Sequence, residues 1–129
     1  MGVAADCKFV QQYGSRDNAT SQIINDWNTA GSLYKVRFFF SLPLEVTSPQ
    51  STFNVSLGII ELQVQDPTCP TPPNATFPWN VDCNTTLNDR LSLFSQWRGV
   101  KGNDGAGLWH LMSGCPTGTE VGIAWLGTL

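Results

Sequence analysis

Apolar and polar positions alternate in changing periods along the chain, and each change of period marks an element. The opening "GVAADC" is small and apolar and reads as the end of a buried strand. "KFVQQYGSRDNAT" is polar and reads as a loop. Beyond it, Ile23, Ile24, Trp27, Ala30 and Tyr34 fall on one face of a helix, with Ser15, Asp17 or Asn18 as its N-cap. From Ser51 the period drops to two. Phe53, Val55, Leu57 and Ile59 alternate, then Ile60, Leu62 and Val64 alternate in the opposite phase, which predicts a strand with a phase slip or bulge.

A proline-rich stretch, "QDPTCPTPPNATFPWNVDC", separates that strand from the next helical period. Thr86 and Asp89 have the spacing of a capping box, with Asp in place of the usual Glu or Gln. Leu87, Leu91 and Phe94 then predict a short amphipathic helix, flanked by Trp97 and stopped at Gly99. "LWHLM" reads as a strand and "EVGIAWLGTL" as a last one. The order is strand, helix, strand, helix, strand, strand. It predicts an α/β sandwich with two main helices and a mostly parallel sheet carrying an antiparallel edge strand.

Composition narrows the classes. A chain of 129 residues is one domain, and a net charge of −3 gives no basic footprint for nucleic acid. The longest apolar run, Val36–Val46, is broken by Ser41, Pro43 and Glu45 and is too short to span a bilayer. The four cysteines, Cys7, Cys69, Cys83 and Cys115, form no Cys-x-x-Cys pair and fit two disulfides. Asn18, Asn54, Asn74 and Asn84 head N-x-[ST] sequons, so glycosylation and the secretory pathway are expected. The first residues lack a signal peptide, which suggests a chain that starts late.

The residues show no catalytic constellation. His110 is the only histidine and reads as a strand residue, not a ligand. The carboxylates are scattered, and "GNDGAG" lacks the G-K-[ST] ending of a phosphate loop and precedes a strand.

Motifs in the last third resemble a known family. "NTTLNDRLSLFSQWRG" followed by "GLWHLMSGCPTGTEVGIAWLGTL" is similar to the fungal branch of the reprolysin or ADAM-type zinc metallopeptidases. "GVAADC", "TFNVSLGIIELQV" and "CP…PWNVDC" fit the same branch. The resemblance covers nearly the whole chain except Val36–Gln50. It implies a metzincin sandwich of which this chain is the N-terminal portion, a peptide or protein substrate, and zinc in the full-length family. The family's H-E-x-x-H-x-x-G-x-x-H motif lies C-terminal to this region, so this fragment is expected to bind no zinc and to be inactive. The resemblance also assigns substrate binding to the main chain of Val121, Gly122 and Ile123, as a sheet edge above the cleft. The alternative is a non-catalytic, secreted, disulfide-bonded binding module.

Two further expectations concern connectivity. Cys69 and Cys83 flank the proline-rich loop and are predicted to pair. That leaves Cys7 for Cys115, which fits if their strands are parallel neighbours, unless a family cysteine beyond Leu129 takes one of these partners. Val36–Gln50 interrupts the resemblance in frame, and its residues permit splice-donor, pyrimidine-rich and acceptor codons. It reads as an intron-derived insertion, or else as a loop insertion, which surface loops tolerate at low cost.

Overall fold

The computed structural model describes residues 1–37 and 57–126. Phe53, Val55, Asn54 and residues 38–50 of the proposed insertion lie outside them, and Tyr34 lies beyond the described side chains. The elements are β1 (Gly2–Ala5), α1 (Cys7–Tyr13), α2 (Arg16–Arg37), β2 (Glu61–Val64), α3 (Leu87–Lys101) and β3 (Trp109–Met112).

All four residues of β1 are buried. This strand is the middle of the sheet, in the order β2-β1-β3, with both neighbours parallel to it. A central parallel strand has no solvent face, so its sequence does not alternate apolar with polar. Gly2 is dictated by packing, because a Cβ there would lie 2.2 Å from the Trp109 ring.

Side chains leave β1 in opposite directions. Val3 and Ala5 join Phe9, Val10, Ala19, Ile23 and Val64 under α1 and α2. Ala4 faces Trp79 and Phe94 on the side covered by α3, where Trp97, Trp109 and Leu111 complete an aromatic layer. The result is an α/β sandwich with helices on both faces of a small parallel sheet.

The polar loop predicted after Cys7 is instead helix α1. Asp6 caps it, accepting from the Phe9 N–H at 2.8 Å, and Gly14 ends it in the left-handed region at φ 76°. Cys7, Phe9 and Val10 are buried, with Tyr13 packed alongside, so the segment is apolar on one side and only its outer side is polar. Ser15 is the cap of α2, its Oγ accepting from the Asn18 N–H at 3.1 Å. Ile23 is buried and Trp27 packs against the same cluster, whereas Ile24 is exposed. Thr86 caps α3 as its spacing predicts, accepting from Asp89 N at 3.1 Å, but the helix runs past Gly99 to stop at Gly102, whose φ is 75°.

Two expectations are corrected. The last predicted strand makes no sheet pairing among the described residues, and the described sheet is wholly parallel. The disulfides are Cys7–Cys69 and Cys83–Cys115, not Cys69–Cys83 and Cys7–Cys115. The strands before Cys7 and Cys115 are indeed parallel neighbours. However, Cys7 sits in the first turn of α1, where its N–H donates to Asn80 Oδ1 at 2.8 Å. The proline-rich segment therefore lies across the C-terminal ends of the strands and offers one cysteine to each. These bonds span sequence separations of 62 and 32 residues. In the chain-entropy account each stabilises the fold by about 4 kcal/mol, more than a short stapled loop would contribute.

The centre of that crossing is an ion pair. Arg90 Nη1 lies 2.9 Å from Asp6 Oδ2, with the side chains 2% and 0% exposed. Arg90 also donates to the carbonyls of Trp79, Val81 and Asp82 at 3.3, 3.0 and 3.0 Å. Removing one partner of a buried pair leaves an uncompensated charge. Arg90→Met in the oxidised chain is therefore expected to cost about 3–5 kcal/mol in urea denaturation. A loss below about 1 kcal/mol, the usual value for an exposed pair, would show that the charge is not buried in solution.

Candidate peptide-binding edge

Three places in the fold bring polar or reactive groups together. The first is the segment after β3. Gly114 passes so close to α1 that an added Cβ would stand 2.5 Å from the carbonyl of Lys8. Its N–H reaches Asp6 Oδ1 at 3.4 Å, and Gln12 Nε2 donates to its carbonyl at 3.0 Å. Cys115 follows, tied to Cys83, and a turn at Thr117–Glu120 uses Gly118 at φ 70°. The chain then runs through Val121, Gly122 and Ile123. Val121 and Gly122 are exposed and Ile123 is half-buried. Trp125 Nε1 donates to Ser95 Oγ of α3 at 2.7 Å, while its ring and Leu126 remain exposed. Among the described residues, Val121–Ile123 thus form an open main chain with apolar side chains.

The second place is the Asp6–Arg90 pair with both disulfides around it. Sequence reasoning missed it, treating Asp6 as one of several scattered carboxylates. The available signal was an acid directly ending a buried strand, which requires a partner for its charge.

The third is the glycine-rich loop after α3. Its carboxylate is self-satisfied: Asp104 accepts from the Ala106 N–H at 2.9 Å and from Trp109 Nε1 at 2.9 Å. The Ala106 bond, followed by the Trp109 bond and the charges of Arg98 and Lys101, holds the carboxyl of Asp104 below its ordinary range. Lys101 reaches Glu61 at 2.7 Å and stands over the Trp97 and Trp109 rings, closing the end of the aromatic layer. The loop amides thus serve the loop itself and offer no phosphate cradle.

The sequence profile of metallo-peptidase family M12 (Reprolysin_5) matches residues 1–129. The chain belongs to metallo-peptidase family M12. It is 42% identical over 130 residues to "Disintegrin and metalloproteinase domain-containing protein B" of Aspergillus fumigatus, covering 100% of this chain and 14% of that protein. It is 34% identical over 136 residues to the protein of the same name from Arthroderma otae, and 33% identical over 136 residues to that from Trichophyton verrucosum. In each case the match covers 100% of this chain and 15% of the relative. The chain therefore spans about one-seventh of the length of these relatives. No solved structure matches.

M12 peptidases are zinc-dependent, and the residues present do not fit that metal. A catalytic zinc needs three protein ligands, usually histidines. The chain has one histidine, and all four cysteines are spent in disulfides. Among the described residues no three of His, Cys, Asp or Glu gather into a metal-holding group. No helix of the described residues is long and apolar enough to cross a membrane. The two disulfides fit an oxidising, extracellular-type compartment.

Of the sequon residues, Asn18, Asn74 and Asn84 are exposed. Asn18 Nδ2 donates to the Tyr13 carbonyl at 3.0 Å, and Asn74 Oδ1 accepts from Thr76 N at 2.8 Å.

His110 lies on β3 with its ring edge-on to Trp27, the centroids 5.5 Å apart. The residue is exposed overall, and desolvation of the ring on the side packed against Trp27 lowers its pKa below the ordinary 6.5. The unfolded chain then takes up the proton first, so the stability that neutral His110 contributes is complete above about pH 6.5 and is lost as pH falls below it. Thermal melts from pH 7.5 to 5 should show a falling midpoint, with the part due to His110 absent in His110→Gln. An equal slope in both proteins would place the imidazole in water.

Proposed function

We propose that this chain forms the N-terminal portion of the catalytic domain of a fungal zinc metalloendopeptidase that is secreted or membrane-anchored. The observation that carries the reading is the family match over the whole chain, at 42% identity to an ADAM-type relative. In this reading the fold is part of a metzincin sandwich. Its zinc ligands come from an H-E-x-x-H sequence outside these residues, and its substrate is a peptide or protein. The main chain of Val121, Gly122 and Ile123 receives extended substrate by strand addition. The exposure of Val121 and Gly122, with backbone not spent on sheet pairing among the described residues, supports that role. Val36–Gln50 is an intron-derived insertion, supported by the uninterrupted "SLYK" to "STFNVSLG" join that its removal leaves.

The test compares the 129-residue chain with a polypeptide carrying the same residues together with a downstream H-E-x-x-H sequence, with and without Val36–Gln50. The longer protein lacking the segment is expected to cleave peptides in a chelator-sensitive way, and the 129-residue chain is expected to show no cleavage. Chelator-sensitive cleavage by the 129-residue chain would overturn the division of roles. A longer protein that never binds zinc would overturn the peptidase reading itself.

Asn18, Asn54, Asn74 and Asn84 are proposed as glycan acceptors, in keeping with a secretory route. Secretion from a eukaryotic host should give a ladder of mass losses on enzymatic deglycosylation. A protein secreted at its bare polypeptide mass would refute the assignment.

A further inference from the structure

The two disulfides differ in access and in the charge beside them. Cys7 is fully buried in the first turn of α1, and its partner Cys69 is half-buried. Both sulfurs of Cys83–Cys115 belong to half-buried residues at the surface end of the strands. Arg90 Nη2 donates to Cys115 Sγ at 3.2 Å. Its other nitrogen, Nη1, is committed to Asp6, so the guanidinium is fixed in place and cannot swing away. At Cys83 the adjoining charge in the chain has the other sign. Asp82 carries a carboxylate that accepts from the Cys83 N–H at 2.7 Å, and Lys8 pairs with that carboxylate at 3.0 Å. The Cys83 N–H, with Lys8 after it, holds Asp82 ionised below the ordinary carboxyl range.

From this asymmetry we propose that Cys83–Cys115 is a thiol-responsive disulfide that opens in one direction, a small-molecule thiolate attacking Cys83 Sγ and Cys115 leaving as a thiolate held by Arg90. The bond formed is between the attacking sulfur and Cys83. The bond broken is Cys83–Cys115, and its electron pair stays on Cys115 beside the guanidinium. A second thiolate then attacks the external sulfur of the mixed disulfide and releases the Cys83 thiolate. Two small thiols are oxidised to their disulfide, and the protein disulfide is reduced to two thiols. A cation beside a sulfur stabilises its thiolate, and a better-stabilised thiolate leaves faster. Cys7–Cys69 stays closed, because attack on the half-buried Cys69 would have to expel Cys7 as a thiolate in a fully buried position with no guanidinium against it among the described residues.

The opening has a mechanical consequence. Cys83–Cys115 is the covalent tie between the segment after β3 and the proline-rich crossing. Releasing it loosens residues 116–126 while the core disulfide and the sheet stay intact. The proposal does not rest on the peptidase reading and is tested without activity.

The oxidised 129-residue chain is incubated with reduced glutathione, quenched with acid and mapped by mass spectrometry. Glutathione is expected on Cys83 in about tenfold excess over Cys115, with Cys7–Cys69 intact. After selective opening, Cys115 should alkylate with a midpoint at or below about pH 7.5, against about 8.5 for an ordinary thiol. Hydrogen exchange should rise in residues 116–126 and not in β1. Arg90→Lys, which keeps a cation, should retain most of the Cys83 preference, and Arg90→Gln should lose it. Because Arg90→Gln can fail to fold, the adduct position and alkylation midpoint of the unaltered chain decide the question on their own. Glutathione mainly on Cys115, opening of Cys7–Cys69 first, or a Cys115 midpoint near 8.5 would each overturn the proposal.

Discussion

A carboxylate with no water around it must have a cation, and the rest of the structure is arranged to deliver one. Asp6 follows the one strand that, among the described residues, is buried on both faces and paired on both edges, so its charge falls where solvent cannot reach. Three elements answer it, two of them distant in sequence. α1 gives the Phe9 amide, the segment after β3 gives the Gly114 amide, and α3 gives the Arg90 guanidinium. Arg90 in turn uses its remaining donors on the carbonyls of the proline-rich crossing. A segment with no regular structure of its own is thereby pinned by one side chain. Such a pair adds little over an apolar substitute of the same shape, but either half alone is costly, so it selects this arrangement over others.

The pair also explains why the cysteines are arranged as they are. Once the crossing lies over the strand ends, Cys69 and Cys83 are separated by Trp79, Asn80 and Val81, all buried and all engaged with the core or with Arg90. Each cysteine then meets the nearest one beneath it. Both disulfides close long loops and constrain the unfolded chain, while the ion pair fixes which strand end each loop covers. The aromatic layer under α3 sits on the other side of the same junction, with Trp79 meeting Phe94 and Trp97 edge-on at 5.6 and 5.5 Å.

Local signals in the chain were legible wherever one residue type decides the matter. Ser15 and Thr86 cap helices because a hydroxyl can reach the free amides of the first turn, and their spacing is visible without tertiary context. The period of two around Leu62 and Val64, and the apolar run at "LWHLM", located β2 and β3. Three features needed the third dimension. Helix α1 was hidden because its 7 residues are too few to show a period beside the polar run that follows, and its cap was read as the end of a strand. Gly99 was read as a stop, although a single glycine only weakens a helix and does not end it, and α3 continues to Lys101. The cysteine pairing depends on where the proline-rich segment lies, and proximity in sequence says nothing about that. The candidate edge at Val121–Ile123 was located by family resemblance alone, since an exposed strip and a buried strand have the same apolar composition.

Belonging to a zinc-dependent family while lacking a zinc-ligand set is less contradictory than it first appears. The chain's chemistry is that of a frame: a buried ion pair, two cross-links and a two-sided core, all at or below the strand ends. The ion pair at its centre is committed to the Phe9 and Gly114 amides and to the carbonyls of the proline-rich crossing. What the frame leaves open is main chain and apolar surface at one end, from Val121 to Leu126, held to the core among the described residues through Cys115, Gly114 and the Trp125 contact to Ser95. In the proposed reading, this segment, anchored at its base and open along its length, receives a partner that brings its own hydrogen-bonding edge. Rigidity and availability are thus divided along the chain at Cys115, with an arginine that belongs to the rigid half touching the sulfur where they meet.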